Sequence, residues 1–164
     1  MSKKNNVLVV GCHPDDVELG CGGTISKHIA SGDRVVALIM TNGEKGNHDV
    51  SFGECKNSLK EIGVTDYILA GFSDGFLKDD YEVVDFIERT IKKYKINRVY
   101  THHPEDTHQD HRHCSKAVSS AARRTPEILF FEGPSTSPSF EPHLFIELSE
   151  EDLSRKLNAL SHYK

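Results

Sequence analysis

The 164-residue sequence has no CxxC pair: its four cysteines, Cys12, Cys21, Cys55 and Cys114, are scattered along the chain. That spacing excludes a zinc ribbon or a thiol redox motif and fits a reducing, cytoplasmic compartment in which all four are ordinary small buried residues. An excess of positive charge is also missing. With 20 Lys and Arg against 25 Asp and Glu the formal charge is −5, so there is no electrostatic case for nucleic acid or an anionic membrane as partner. Lys92, Lys93 and Lys95 read as a solvated helix end. Only Met1–Asn6 precede the first apolar run, Val7–Val10, which is too short for a signal peptide core or a membrane span. Neither a targeting segment nor a transmembrane helix is expected. Repeats and linkers are lacking too, and the length fits one domain, residues 1–164, by the usual figure of about 100–200 residues per domain. Gly20-Cys21-Gly22-Gly23 lacks the GxGxxG spacing and follows two aspartates that would repel phosphate, so nucleotide binding is not expected there.

Histidine is plentiful. Of the ten in the chain, His102, His103, His108 and His111 fall in one ten-residue window, with His113 just beyond. The other concentration of chemistry is His13-Pro14-Asp15-Asp16-Val17-Glu18, directly after the apolar run. Four mostly β-branched residues suit a buried strand, and Pro14 fixes its own φ while biasing His13 toward extended geometry. The polar cluster therefore sits at a strand's C-terminal end, where ligands bind in open α/β sheets.

Further along, Arg34–Thr41, Tyr67–Ala70, Ile96–Thr101, Ile128–Phe131 and Leu144–Leu148 read as strands, the last two around a Pro/Ser-rich loop, Gly133–Pro142. Helices are expected over Thr24–Ser31, Gly53–Ile62, Tyr81–Tyr94, from a capping box at Thr107–Asp110 through Ala122, and over Glu150–Leu160. This alternation predicts an α/β fold with a mainly parallel sheet and helices on both faces, and puts both histidine clusters on one sheet edge. Asn42–Asp49, with two glycines and mixed charge, suits a pocket rim, and Asp74, just past the third strand, is a second rim residue.

Imidazole and carboxylate donors are what zinc takes, and a catalytic site leaves one position open. His13 and Asp16 can supply two donors. His108 and His111, spaced i, i+3, share a helix face and offer a third with one histidine left over. The same donor types suit Fe2+, so the metal is not fixed by the residues. His28, His48, His102, His143 and His162 are expected to be surface or loop histidines, and Glu18 a helix-start carboxylate.

Together, His13–Glu18 with Gly22-Gly23-Thr24-Ile25, and Pro104–Arg112, resemble the LmbE-like, or PIG-L, de-N-acetylase family. Asn42-Gly43-Glu44, Ser73-Asp74-Gly75, Phe140-Glu141-Pro142 and Lys156–Leu160 follow in the order that family uses. The resemblance implies a Rossmann-like fold and a metal, usually Zn2+, used to hydrolyse the acetamide of an N-acetylglucosamine-type sugar to an amine and acetate. It makes His13, Asp16 and His111 the metal ligands and Asp15 the general base. It makes His108, protonated and held by Asp110, the electrophilic partner, and it places Asp74 and Asn42 at the substrate. Two departures stand out. No arginine occurs between Arg34 and Arg89, where relatives place one that reaches the substrate, so the sugar is expected to be recognised differently. The chain also stops at Lys164, which reads as a shortened or truncated member. The partner expected is a small N-acetylated sugar, and the sequence permits a homo-oligomer. An amidase acting on a non-sugar acyl amine would use the same residues, and a non-catalytic metal-binding module would not need Asp15.

Overall fold

The computed structural model describes residues 4–45 and 52–163. Five strands, β1 (Asn6–Gly11), β2 (Arg34–Thr41), β3 (Asp66–Phe72), β4 (Arg98–His102) and β5 (Glu127–Phe131), alternate with α1 (Asp16–Ala30), α2 (Phe52–Ile62), α3 (Tyr81–Tyr94) and α4 (Gln109–Ala121), and α5 (Glu150–Leu160) closes the chain. All pairings are parallel and the strand order is β3-β2-β1-β4-β5.

The period-2 alternation of the strands divides the core in two. Leu8, Val10, Val36, Leu38 and Met40 pack with Val83 and Ile87 of α3 and Ala117 and Val118 of α4. Val7, Val9, Val35, Ala37 and Ile39 pack with Ile25 of α1, Leu59 and Ile62 of α2 and Ala159 of α5. Both faces of β1 and β2 are thus covered, which is why those strands read as unbroken apolar runs. Burying each of the Val, Leu, Ile and Met side chains among them stabilises the fold by about 1.5–3 kcal/mol. The chain leaves β1 toward β2 on one side and reaches β4 on the other, so the order reverses between β1 and β4. A crevice at the C-terminal ends of those two strands follows from that reversal.

Two expectations need correction. Leu144–Leu148 is not a strand: Leu144 and Phe145 are exposed, and the segment crosses α1, with Lys27 Nζ donating to Glu147 O at 2.6 Å. Helix α1 begins eight residues before Thr24, and the three glycines lie inside it. There they serve close packing, since a Cβ on Gly20 would strike the Phe131 ring and one on Gly23 would strike Leu148. All four cysteines are free and buried, as expected. Among the described residues no helix is long and apolar enough to cross a membrane. The second half of the Asn42–Asp49 loop, residues 46–49 with His48, lies outside the described residues.

Candidate functional site

The turn after β1 is built by backbone constraint. Gly11 has no room for a side chain, because a Cβ would sit 2.9 Å from Val17 Cγ2 and 3.0 Å from Asp16 Cβ. Asp15, the residue before α1, is held at φ 92°, a conformation that costs a non-glycine residue about 1–3 kcal/mol and is kept mainly at functional sites. The turn folds back so that the His13 N–H donates to Asp16 Oδ2 at 2.7 Å. Asp15 and Asp16, though adjacent, then meet different surroundings. Among the described residues no hydrogen bond engages the Asp15 carboxylate, while Asp16 Oδ2 faces three imidazoles, at 3.4 Å from His13 Nδ1, 3.4 Å from His111 Nε2 and 3.2 Å from His102 Nε2. Burial, together with the Asp16 and Glu18 charges, raises the Asp15 carboxyl to about 7. Burial would also raise Asp16, yet the histidines around it hold it well below the usual carboxylate range.

The second arm comes from β4 and α4. His108 is the N-cap of α4, its Nδ1 accepting from the Asp110 N–H at 3.3 Å, so the cap is one residue later than the Thr107 box predicted. His111 points into the site from the first turn. Its Nδ1 lies 3.2 Å from Asp106 Oδ2 and 3.1 Å from Ser135 Oγ, leaving Nε2 directed at His13 Nδ1, 3.2 Å away. His13 is held the same way from its far side, with Nε2 at 3.1 Å from Asp74 Oδ1 and 3.6 Å from Asp110 Oδ2. Burial would lower His13, but Asp16, Asp74 and Asp110 outweigh it and raise the ring to about 9.

This donor set fits a metal. His13 Nδ1, Asp16 Oδ2 and His111 Nε2 form a triangle with edges of 3.2, 3.4 and 3.4 Å. A tetrahedral ion with donors at about 2.0–2.2 Å spaces them about 3.3–3.6 Å apart. Each histidine also has its other nitrogen against a carboxylate, the usual arrangement for a metal-bound imidazole. Overlapping sets, His13–His108–His111, Asp16–His102–His111 and His13–Asp74–Asp110, also bring donor atoms within 4.8 Å of one another. The pairing of both outer nitrogens singles out the triangle.

Several residues are placed differently from the sequence reading. The Asp110 carboxylate does not hold His108; its Oδ2 accepts from the Gly75 N–H at 2.6 Å and faces His13. Burial and the neighbouring His111 and His13 lower His108, which opposes the protonated ring expected. Asp74 is no open rim carboxylate: it is buried, accepts from the Lys45 N–H at 2.8 Å and supports His13. Asn42, directly after β2, has a buried Oδ1 with no hydrogen-bond partner among the described residues. Glu18 is in the first turn of α1 but fully buried, accepting from the Tyr163 hydroxyl at 2.9 Å. Two histidines expected at the surface are buried: His28 bridges Asp33 and the Tyr100 hydroxyl, and His102 lies inside the site. The site residues that sequence reasoning missed are Asp106, Ser135 and His102. For His102 a signal existed, since period 2 puts it on the same face of β4 as Tyr100, which is buried.

The site can be set beside known proteins. The model of the family described as PIG-L: GlcNAc-PI de-N-acetylase matches residues 8–122. The chain is 36% identical, over 172 aligned positions covering 99% of it and 92% of the relative, to the uncharacterized deacetylase YaiS of Escherichia coli (strain K12). It is 34% identical to the diacetylchitobiose deacetylase of Thermococcus kodakarensis over 70% of this chain and 49% of that protein. Its fold superposes on the crystal structure of the conserved protein TT1542 from Thermus thermophilus with a TM-score of 0.84 and 27% identity, covering 97% of this chain and 78% of that one.

Proposed function

Because the chain belongs to the PIG-L de-N-acetylase family, we propose that it is a metal-dependent N-deacetylase, with zinc the ion best suited to its donors. Its substrate is an N-acetylglucosamine-type sugar or conjugate, hydrolysed to the free amine and acetate. The observation that carries this reading is the triangle of His13, Asp16 and His111 donors, with both outer imidazole nitrogens held by carboxylates. The sugar part is supported by the Thermococcus relative, whose name gives diacetylchitobiose as its substrate.

A divalent ion in this set supplies Lewis acidity, lowering the pKa of water to about 7 and polarising the amide carbonyl. The residues do the rest. Asp15, next to the ligand Asp16 and free of hydrogen bonds among the described residues, takes a proton from the attacking water as its oxygen bonds to the carbonyl carbon. When the C–N bond breaks, that proton goes to the leaving nitrogen. His108 Nδ1 accepts a backbone N–H, so the proton of the neutral ring is on Nε2. That N–H is the donor for the developing oxyanion, a role a neutral ring can fill with a weaker bond than the imidazolium expected from sequence. Asn42 Oδ1, buried and unpartnered among the described residues, accepts from a substrate N–H or hydroxyl. Asp74 and Asp110 fix His13.

The test is acetate release from a panel of N-acetyl sugars and non-sugar N-acyl amines, measured beside metal content. Asp15→Asn should keep its metal and lose about 10²–10⁴-fold in kcat, whereas Asp16→Ala should lose metal and turnover together. Parental turnover in Asp15→Asn would end the assignment of Asp15 as base. Release from the non-sugar amines alone would end the sugar reading.

A further inference from the structure

We propose that His102 is a positioning residue for the metal donors, its ring backing His111 and its Nε2 fixing the strand end that carries His13. The proposal rests on the functional reading above. His102 is the last residue of β4 and only 2% exposed. One face of its ring stacks on His111, with centroids 3.9 Å apart and planes 16° from parallel, and Phe131 lies 4.8 Å from its centroid. Its Nε2 accepts from the Cys12 N–H at 3.1 Å, one residue before His13, and sits 3.2 Å from Asp16 Oδ2. One buried side chain therefore touches Asp16, touches His111 and holds the backbone beside His13.

The same geometry argues against His102 being a ligand itself. An imidazole coordinates an ion lying in its ring plane, and nearly parallel rings stacked 3.9 Å apart keep their lone pairs in separate planes that do not meet at one ion. The Nε2 lone pair is moreover taken by the Cys12 N–H. What the ring does is restrict motion. Asp106 and Ser135 fix His111 at Nδ1 but leave the ring free to tilt about that contact, and the stack removes the tilt. The Cys12 contact ties the end of β1 to the end of β4 at the place where the two arms must meet. Supporting groups of this kind typically contribute 10–100-fold to metal affinity.

Two variants separate the two contacts. His102→Phe keeps a ring against His111 and removes the acceptor for the Cys12 N–H, while His102→Gln keeps an acceptor and removes the ring. Metal-free protein is titrated with Co2+, whose visible absorption reports ligand geometry, and Tm is measured without metal. Each variant should bind Co2+ about 10-fold or more weakly than the parent, with a shifted spectrum. Parental affinity and spectrum in both variants would overturn the proposal, and in one variant would overturn the role of the contact it removes. A parent chain that binds no Co2+ would instead overturn the functional reading on which the proposal depends.

Discussion

The two arms of the site reach the same edge of the sheet by different means. The β1 arm is short and determined locally: Gly11, the proline turn, the positive φ of Asp15 and the His13 N–H to Asp16 bond lie within six residues. The β4 arm is held by side chains, its own Asp106 and Arg112 together with Ser135 from beyond β5. Asp106 receives the His108 N–H at 2.8 Å and faces His111, Ser135 O accepts from the N–H and hydroxyl of Thr107, and the Arg112 guanidinium donates to the carbonyls of Asp106 and Thr107. Positional accuracy starts from the backbone turn in the first arm, to which Asp74, Asp110 and His102 add contacts from outside, and from side-chain contacts in the second. Damage to the first should be all-or-none and damage to the second graded.

The largest effect expected is for Gly11→Ala. A Cβ pressed against Val17 and Asp16 cannot be accommodated without moving the start of α1, so stability should fall by about 1–3 kcal/mol. Metal affinity should drop by more than about 100-fold with it. Denaturant unfolding beside metal titration checks both, and an unchanged affinity would show that the turn is less rigid than its geometry implies. Asp106→Asn should do less. It keeps the shape but removes the charge beside His111 Nδ1, and should weaken metal binding by about 10–100-fold. A loss as complete as that in Gly11→Ala, read in the same titration, would erase the distinction between the arms. The smallest shift is in Asp15→Gly, where glycine relieves the positive φ. Tm without metal should rise, by the equivalent of about 1 kcal/mol, while acetate release disappears. A fall in Tm would mean that the turn is not strained.

The same contrast explains what could be read from the residues. Val7–Asp16 announced itself, since its structure follows from neighbours in sequence, and the strand and helix patterns of β2, α3 and α5 were equally legible. Ser135 was not, because its role exists only once the segment after β5 lies against the β4 arm, and Asp106, though local, shows its role only once the turn before α4 brings it to His111. His102 was read as a surface or loop residue because the strand before it was expected to end at Thr101, although its alternation with Tyr100 points inward. Glycines 20, 22 and 23 misled in the other direction, suggesting a break where the fold needs close approach of α1 to its neighbours. Asp110 and His108 both lie in the motif and close to His13, but the partners of the Asp110 carboxylate are Gly75 and His13, contributed by other strand ends.

The strand order has a kinetic consequence. β1 pairs with β2 on one side, a neighbour in sequence, and with β4 on the other, so His13 and His111 meet across 98 residues of chain. Closing so long a loop comes late in folding, because its entropy is lost before the contacts form. The three donors are therefore assembled only after the rest of the sheet, and an unfolded chain offers no comparable site. An ion bridging the two arms would leave the rate of folding nearly unchanged and slow unfolding, acting as a latch on β1 and β4.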